Sequence, residues 1–338
     1  MEPLLPLGKL PAGLLERLLA KSPALDPRVL YGPGIGRDCA VIDQGDRLLV
    51  LKSDPITFAT GDIGWYAVQI NANDIATTGA QPRWMLATLL LPENQTTPAL
   101  VESIFDQLTR SAAALGITLI GGHTEITYGL NRPIIMGTML GETDRDHLVL
   151  PSGARPGDRL LLTKGVPVEA TALLATEFGD RLSAVLTPPE IEQARQYLYK
   201  PGISVLRDAR VAVAAGRVTA MHDPTEGGLA SALWEVSEAS GRRIRFDPVA
   251  VPVPALSARI CAFFGLNPLA TIASGALLMA VSPDSAASVI RALEGEGIPC
   301  GEIGAVEEGS PGVWQAGGEP LPRPARDEIT KVYETGAP

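Results

Sequence analysis

Apolar residues along the chain alternate between short runs of strand length and longer stretches with helical spacing. In the first half, this pattern predicts a short amphipathic helix over Leu14–Ala20, a helix from Ile63 to Thr78 that ends at Gly79, and a helix from Pro98 to about Leu115. It predicts strands at Cys39–Ile42, Leu48–Lys52, Trp84–Leu91, "ITLIGG" and "RPIIMGTMLGE". Strands and helices therefore follow one another throughout this half.

The same alternation restarts after the polar, turn-rich segment "TDRDHLVLPSGARPGD". Strands are predicted at "RLLLTK", "ATIASGALLMAV" and "CGEIGAV", and helices at 168–178, 189–198, 204–215, 226–240 and 285–293. The pattern predicts an α/β (α+β) protein of two domains. We expect an N-terminal arm with a short helix over 1–33, a first domain over 34–148 and a second over 155–320.

Composition narrows the classes of function. The chain has 338 residues and a formal net charge of −10, which argues against a nucleic-acid partner because such proteins usually carry a basic face. Its three cysteines are widely spaced without a CxxC pair, so neither a disulfide framework nor a zinc site is predicted. There is no apolar run of about 18 residues and no leader pattern, so we expect a cytoplasmic protein without a membrane span.

Acidic residues recur beside glycines or at the predicted ends of elements. Asp38 ends "GPGIGRD", Asp54 ends "LKSD", Asp74 lies in "NANDIA", and Asp223 and Glu226 lie in "HDPTEGG". A further segment, "GGHTEIT" (residues 121–127), follows a predicted strand. Glycines let backbone N–H groups approach phosphate oxygens, and carboxylate oxygens are ligands that Mg²⁺ prefers. The combination favours a site for a phosphate ligand and a metal ion.

Each of these features also has a structural interpretation. Asp38 and Asp54 are also typical of turns. Asp223 is suited to capping a helix, with Glu226 closing a capping box three residues later. A lone histidine such as His123 is more often structural, whereas Asp74 fits poorly as a structural residue because it lies within a helical pattern. "GPGIG" precedes a strand and so does not predict a dinucleotide fold, and no P-loop motif is present.

Six motifs in order give the chain a family resemblance. "GRDCAVI", "KSDPITF", "GDIGWYAVQINANDIATTGAQP", "GGHTEIT", "GDRLLLTK" and "DPTEGGL" resemble motifs of the AIR synthase (PurM-like) superfamily, and most closely those of HypE-type hydrogenase expression/formation proteins. The resemblance implies an N-terminal α/β domain whose strands form a barrel across a homodimer, followed by a C-terminal α+β domain. It also implies ATP and Mg²⁺ as cofactors.

The resemblance also implies roles for individual residues. Asp38, Asp54, Asp74 and Asp223 are expected to hold Mg²⁺, and His123 and Glu226 are expected to act in catalysis. The expected nucleotide-binding residues are Lys52, Asn73, Gly121, Gly122, Thr124, Lys164 and Thr225. His123 stands where the kinase and HypE members have Asp, and "DEITKVYETGAP" stands where HypE proteins have a Pro-Arg-x-Cys tail. We therefore expect that the thiol-dependent dehydration of HypE does not occur by that route here.

Two hypotheses of function follow. The first is an ATP- and Mg²⁺-dependent enzyme that activates or phosphorylates an oxygen of a small-molecule or carbamoyl-type substrate. The second is a non-catalytic ATP-binding partner in a metalloenzyme maturation complex of the hydrogenase type. A third interpretation, a globular protein without a nucleotide site, leaves the ordered motifs unexplained.

Overall fold

The computed structural model describes residues 5, 10–21, 26–34, 36–57 and 61–334. Parts of the predicted N-terminal arm and the segment after Ile56 lie outside these residues. The described residues form two compact units. The N-terminal unit is drawn from 24–33 and 38–148, and the C-terminal unit is drawn from 1–23, 34–37 and 149–338. The predicted boundaries at 34–148 and 155–320 stay predictions.

The N-terminal unit is a six-stranded sheet with two helices. After α1 (Ala12–Leu19), which is grouped with the other unit, its elements are β1 (Val29–Tyr31), β2 (Ala40–Asp43), β3 (Leu48–Ile56), α2 (Ile63–Thr77), β4 (Gln81–Pro92), α3 (Pro98–Ala114), β5 (Thr118–Thr127) and β6 (Ile134–Thr143). The strand order is β1-β2-β3-β6-β4-β5. All neighbours pair antiparallel except β4 and β5, which are parallel.

Helix α2 forms the centre of this unit. Every residue from Ile63 to Thr77 except Trp65 is buried, and the helix is apolar around most of its circumference, as expected for a helix covered on several sides. It packs closely on β6 because a side chain at Gly141 would overlap Ile75, and one at Gly137 would overlap Asn71. The polar residues of α2 are therefore held inside the core.

The C-terminal unit combines a second six-stranded sheet with helices. Its elements are β7 (Arg159–Thr163), α4 (Val168–Glu177), α5 (Gly179–Leu182), α6 (Pro188–Arg195), α7 (Leu206–Ala215), β8 (Val218–His222), α8 (Gly228–Ser240), β9 (Arg243–Phe246), α9 (Ala255–Phe264), β10 (Leu278–Val281), α10 (Pro283–Gly295), β11 (Cys300–Glu307), β12 (Gly312–Gln315) and α11 (Thr330–Glu334). Short 3₁₀ turns span Pro151–Gly153, Gln196–Leu198 and Pro268–Ala270. The strand order is β12-β9-β11-β7-β10-β8.

The two-unit α/β architecture confirms the predicted fold class. A core of aliphatic side chains, including Leu160, Leu233 and Leu278, lies between the second sheet and its helices. β3, β4 and β5 extend beyond their predicted bounds. The strand predicted over "ATIASGALLMAV" is confined to β10, because residues 271–277 form an irregular loop around Gly275, whose φ is +112°. The sequence pattern also missed β1, β8, β9, β12, α5, α9 and α11.

Candidate functional site

A buried lysine in the N-terminal unit gathers three of the predicted metal ligands. The Nζ atom of Lys52 lies 3.0 Å from Asp74 Oδ2, 3.4 Å from Asp54 Oδ2 and 3.8 Å from Asp38 Oδ1. The side chain of Lys52 is 10% exposed and that of Asp74 is 3% exposed. We call these four residues the Lys52 cluster. It joins β3, the last turn of α2 and the segment before β2.

The geometry of the Lys52 cluster follows from local structure. Lys52 and Asp54 are two residues apart on β3, so both side chains leave the same face of the strand. Burial opposes the charge of Lys52, but the carboxylates of Asp74, Asp38 and Asp54 outweigh it and raise the pKa of this ammonium well above its ordinary value. Lys52 is therefore a permanent cation held between carboxylates.

Two neighbours, for which no role was predicted from the sequence, fix the cluster in place. Asn71 Oδ1 accepts a hydrogen bond of 3.1 Å from the backbone N–H of Asp54, and its Nδ2 donates to Ala67 O at 2.9 Å. The thiol of Cys39 donates to the carbonyl of Asp74 at 3.3 Å. The signal for Asn71 was present, because it is a second asparagine two residues before Asn73 within an apolar helix. Asn73 itself is fully buried on α2.

The "GGHTEIT" segment lies inside a strand, which corrects the prediction that it follows one. β5 continues to Thr127 because its parallel pairing with β4 extends from Leu86–Gly121 to Pro92–Thr127 after a bulge. Gly121, Gly122, His123 and Thr124 therefore belong to an edge strand and are exposed. His123 Nε2 lies 3.2 Å from Glu125 Oε2, and both side chains are largely exposed. The carboxylate orients the imidazole ring.

The "DPTEGG" loop joins β8 to α8 in the C-terminal unit. The residue that caps α8 is Gly227, with a left-handed φ of +79°, and no side chain caps this helix. The interpretation of Asp223 and Glu226 as a capping box is therefore wrong. Asp223 is buried directly after β8, and the carbonyl of Thr225 accepts a hydrogen bond of 2.9 Å from Gly228 N–H. The carboxylates of this loop therefore do not cap the N-terminus of α8.

Two buried acids lie near Glu226, and no sequence motif pointed to either of them. Asp327 Oδ2 accepts a hydrogen bond of 2.5 Å from Gly227 N–H, and burial raises the pKa of Asp327 to about 6. Glu169, in the first turn of α4, is fully buried, and burial raises its pKa to about 8. The charges of Glu226 and Asp327 act on Glu169 in the same direction as burial, while Ser274 opposes them. Glu169 therefore favours retaining its proton at neutral pH.

Lys164 is engaged within the C-terminal unit. Its Nζ lies 3.0 Å from Asp208 Oδ2 and donates to Ser204 O at 2.6 Å. Burial lowers the pKa of Lys164, and the charge of Asp208 opposes that effect. The backbone at Lys164 has a left-handed φ of +59°. The predicted role of Lys164 at a phosphate stays a prediction, and its observed partners are within the protein.

The donor set of the Lys52 cluster fits a hard divalent cation. Its oxygens are carboxylate oxygens that converge on a point occupied by a positive charge, and Mg²⁺ prefers oxygen ligands of this kind. Within the described ranges, no three His, Cys, Asp or Glu side chains form a ready-made metal cage. The carboxylates are thus spaced for the ammonium, and a metal ion would have to draw them closer.

No described helix is long and apolar enough to cross a membrane.

Comparison with known proteins identifies relatives along most of the chain. A family model described as "AIR synthase related protein, N-terminal domain" matches residues 36–143, and its C-terminal counterpart matches residues 155–315. A hydrogenase expression/formation protein of Methanocaldococcus jannaschii is 28% identical over 265 residues, which are 76% of this chain and 74% of that protein. The carbamoyl dehydratase HypE of Rhizobium leguminosarum bv. viciae is 30% identical over 267 residues, covering 76% and 73%.

Solved structures share the fold. HypE from a HypE–HypF complex superposes with a TM-score of 0.73 at 21% identity, covering 92% of this chain and 99% of that one. The hydrogenase maturation protein HypE in complex with ATP has a TM-score of 0.67 at 24% identity, covering 91% of each chain. At these identities the likeness is one of fold.

Proposed function

Because this chain belongs to the AIR synthase related family, we propose that it is an ATP- and Mg²⁺-dependent enzyme. In this proposal it activates or phosphorylates an oxygen atom of a small-molecule or carbamoyl-type substrate. The observation that carries the proposal is the Lys52 cluster, in which three aspartates from separate elements meet at one buried cation. A relative of the same fold binds ATP, which supports the choice of nucleotide.

In this proposal, some residues bind Mg²⁺ or the nucleotide and others transfer protons. Asp38, Asp54 and Asp74 hold Mg²⁺ in the N-terminal unit, and Asp223 is the metal ligand of the C-terminal unit. Asn73, Gly121, Gly122, Thr124 and Thr225 bind the nucleotide. Bound ATP supplies an activated phosphoryl group, and such transfers depend mainly on positioning and charge neutralisation.

Proton transfer falls to His123 and Glu226. His123 is accessible on β5 and is oriented by Glu125 at 3.2 Å, so its ring nitrogen can take a proton from an attacking substrate oxygen. Glu226 lies close enough to Glu169 and Asp327 for its charge to raise the pKa of both, and in this proposal its carboxylate exchanges protons with the substrate.

The edge strand β5 supports a homodimer. β5 is the last strand of its sheet, and Ile120, Ile126 and Tyr128 on or beside it are 52%, 62% and 84% exposed. Long apolar edge strands are usually covered in native proteins, because their free N–H and C=O groups pair readily with another chain. We propose that a second copy of the chain covers the face of β5 that carries Ile126, opposite to the face that carries His123 and Glu125.

The second candidate is a non-catalytic ATP-binding partner in a maturation complex. Its support is the likeness in fold to HypE, which has been seen in complex with HypF. Both candidates require the nucleotide site, and turnover separates them. ADP release with Mg²⁺ and a panel of small acids, amides and carbamoyl compounds is expected for the enzyme, whereas tight ATP binding without ADP release is expected for the partner.

Calorimetric titration with ATP and Mg²⁺ tests the site itself. Asp74→Asn is expected to weaken ATP–Mg²⁺ binding at least about tenfold, which corresponds to about 1.4 kcal/mol. Asp106→Asn is the matched control, because Asp106 is an exposed aspartate on α3 that pairs only locally with Arg110. Equal affinities of the Asp74 variant and the wild type would show that the assignment of the metal site is wrong.

A further inference from the structure

The ammonium of Lys52 lies among the three carboxylates that are proposed to hold the metal ion. It is within 3.8 Å of all three aspartates and is almost fully buried. Three carboxylates this close to one another would repel strongly in a medium of low dielectric constant if no cation lay between them. The ammonium therefore holds the acidic groups together in the absence of metal.

An ammonium and a divalent cation compete for the same oxygens. Mg²⁺ requires carboxylate oxygens at about 2.0–2.1 Å, whereas Lys52 Nζ holds them at 3.0–3.8 Å. A divalent cation entering the Lys52 cluster also meets the positive charge of Lys52 at short range, and that repulsion is large where solvent does not screen it. The negative charge of a nucleotide triphosphate offsets this repulsion when metal and nucleotide arrive together.

We propose that Lys52 is a resident cation of the metal site, which keeps the cluster folded without metal and makes metal uptake depend on the nucleotide. This inference rests on the proposed function and adds that the metal ion binds together with the nucleotide and not before it. Lys52 then positions the carboxylates, in place of the nucleotide-binding role that the family resemblance implied. The expected consequence is that the protein without nucleotide binds divalent cations weakly.

This inference is tested by measuring Mn²⁺ binding to the nucleotide-free protein with electron paramagnetic resonance or calorimetry. Lys52→Met removes the charge and keeps a similar length, and it is expected to bind Mn²⁺ at least about tenfold more tightly than the wild type because a nearby repulsive charge is gone. Lys52→Arg retains the charge and is expected to resemble the wild type. Lys200→Met, at an exposed lysine of the other unit, is the matched control.

Thermal unfolding gives a second readout. In the presence of a chelator, Lys52→Met is expected to unfold at a lower temperature than the wild type. Addition of Mn²⁺ is expected to raise the unfolding temperature of the variant more than that of the wild type. If repulsion prevents Lys52→Met from folding, the comparison moves to the Asp54→Asn background, which has one carboxylate fewer. There, Asp54→Asn with Lys52→Met is compared with Asp54→Asn alone.

The outcomes separate this inference from the function on which it rests. A gain in Mn²⁺ affinity on loss of the Lys52 charge, in either background, supports a resident cation. Unchanged or weaker Mn²⁺ binding in folded variants of both backgrounds overturns it, even if the wild type binds ATP with metal. Failure of the wild type to bind ATP with metal in a parallel titration would instead contradict the proposed function.

Discussion

Glu169→Gln should make the protein more stable at neutral and alkaline pH. Glu169 is fully buried in the first turn of α4, and its Oε2 has no hydrogen-bond partner in the part of the chain that the structure describes. Burial raises its pKa from 4.5 to about 8. Glutamine keeps nearly the same shape and carries no charge at any pH, so the substitution removes the titration while leaving the packing of α4 in place.

The sign follows from proton linkage. The folded protein keeps the proton of Glu169 while the unfolded chain releases it above its ordinary pKa of 4.5. The stability that comes from the raised pKa is therefore fully present below pH 4.5 and is lost as pH rises to about 8. At about 1.4 kcal/mol per pKa unit, the loss approaches about 3 kcal/mol near pH 7 and about 4–5 kcal/mol above pH 8.

Calorimetric unfolding between about pH 5 and pH 8.5 measures the effect, with the free energy of unfolding of each variant compared at each pH. The stability of Glu169→Gln relative to wild type is expected to rise steadily with pH. Glu294→Gln, at an exposed acid on α10 of the same unit, is expected to show no such trend. A difference between Glu169→Gln and wild type that stays constant across this range would refute the claim that Glu169 is buried as a neutral acid.

Three further predictions concern other parts of the fold. Gly122→Ala should destabilise the N-terminal unit in thermal unfolding much more than Gly121→Ala, because the two share a φ near +150° but only at Gly122 would a Cβ overlap the carbonyl of Ala87. Lys164→Met should cost about 3–5 kcal/mol of unfolding free energy, since it leaves Asp208 buried without its ammonium partner; stability unchanged in denaturant titrations would contradict this. Ile126→Glu should shift the protein to a monomer in analytical ultracentrifugation, because it places a charge on the proposed dimer edge; an unchanged mass would exclude β5 as the interface.

Local patterns were sufficient for most elements and for the acidic residues. The length and spacing of apolar residues predicted β2, α2 and α3 to within about one residue of their observed bounds, and located β3 and β4 but made both too short. Glycine beside aspartate drew attention to Asp38 and Asp223. The common face of Lys52 and Asp54 was not predicted, because the predicted strand ends at Lys52 and the observed one continues to Ile56.

Features that depend on distant contacts could not be read from the sequence. The pattern predicts that the strand ends at the glycine pair of β5, because the parallel partner β4, which keeps the chain extended to Thr127, is distant in sequence. Asp223 and Glu226 matched a capping box in spacing, but the chain turns at Gly227 before α8 begins. Glu169 has the position of an ordinary first-turn acid, and the groups that act on it in the folded protein, such as Ser274 and Asp327, are distant in sequence.

The burial of α2 determines which experiment can detect a ligand in the N-terminal unit. Its backbone amides lie within the core, so their hydrogen exchange is expected to require opening of the whole unit rather than local fraying. Slower deuterium uptake in α2 upon ligand addition would then measure the gain in stability of the entire N-terminal unit, and from it the ligand's affinity. Exchange at the exposed edge strand β5 reports local protection instead. The two segments of one labelling experiment can thus separate a gain in the stability of the whole unit from protection at β5 itself.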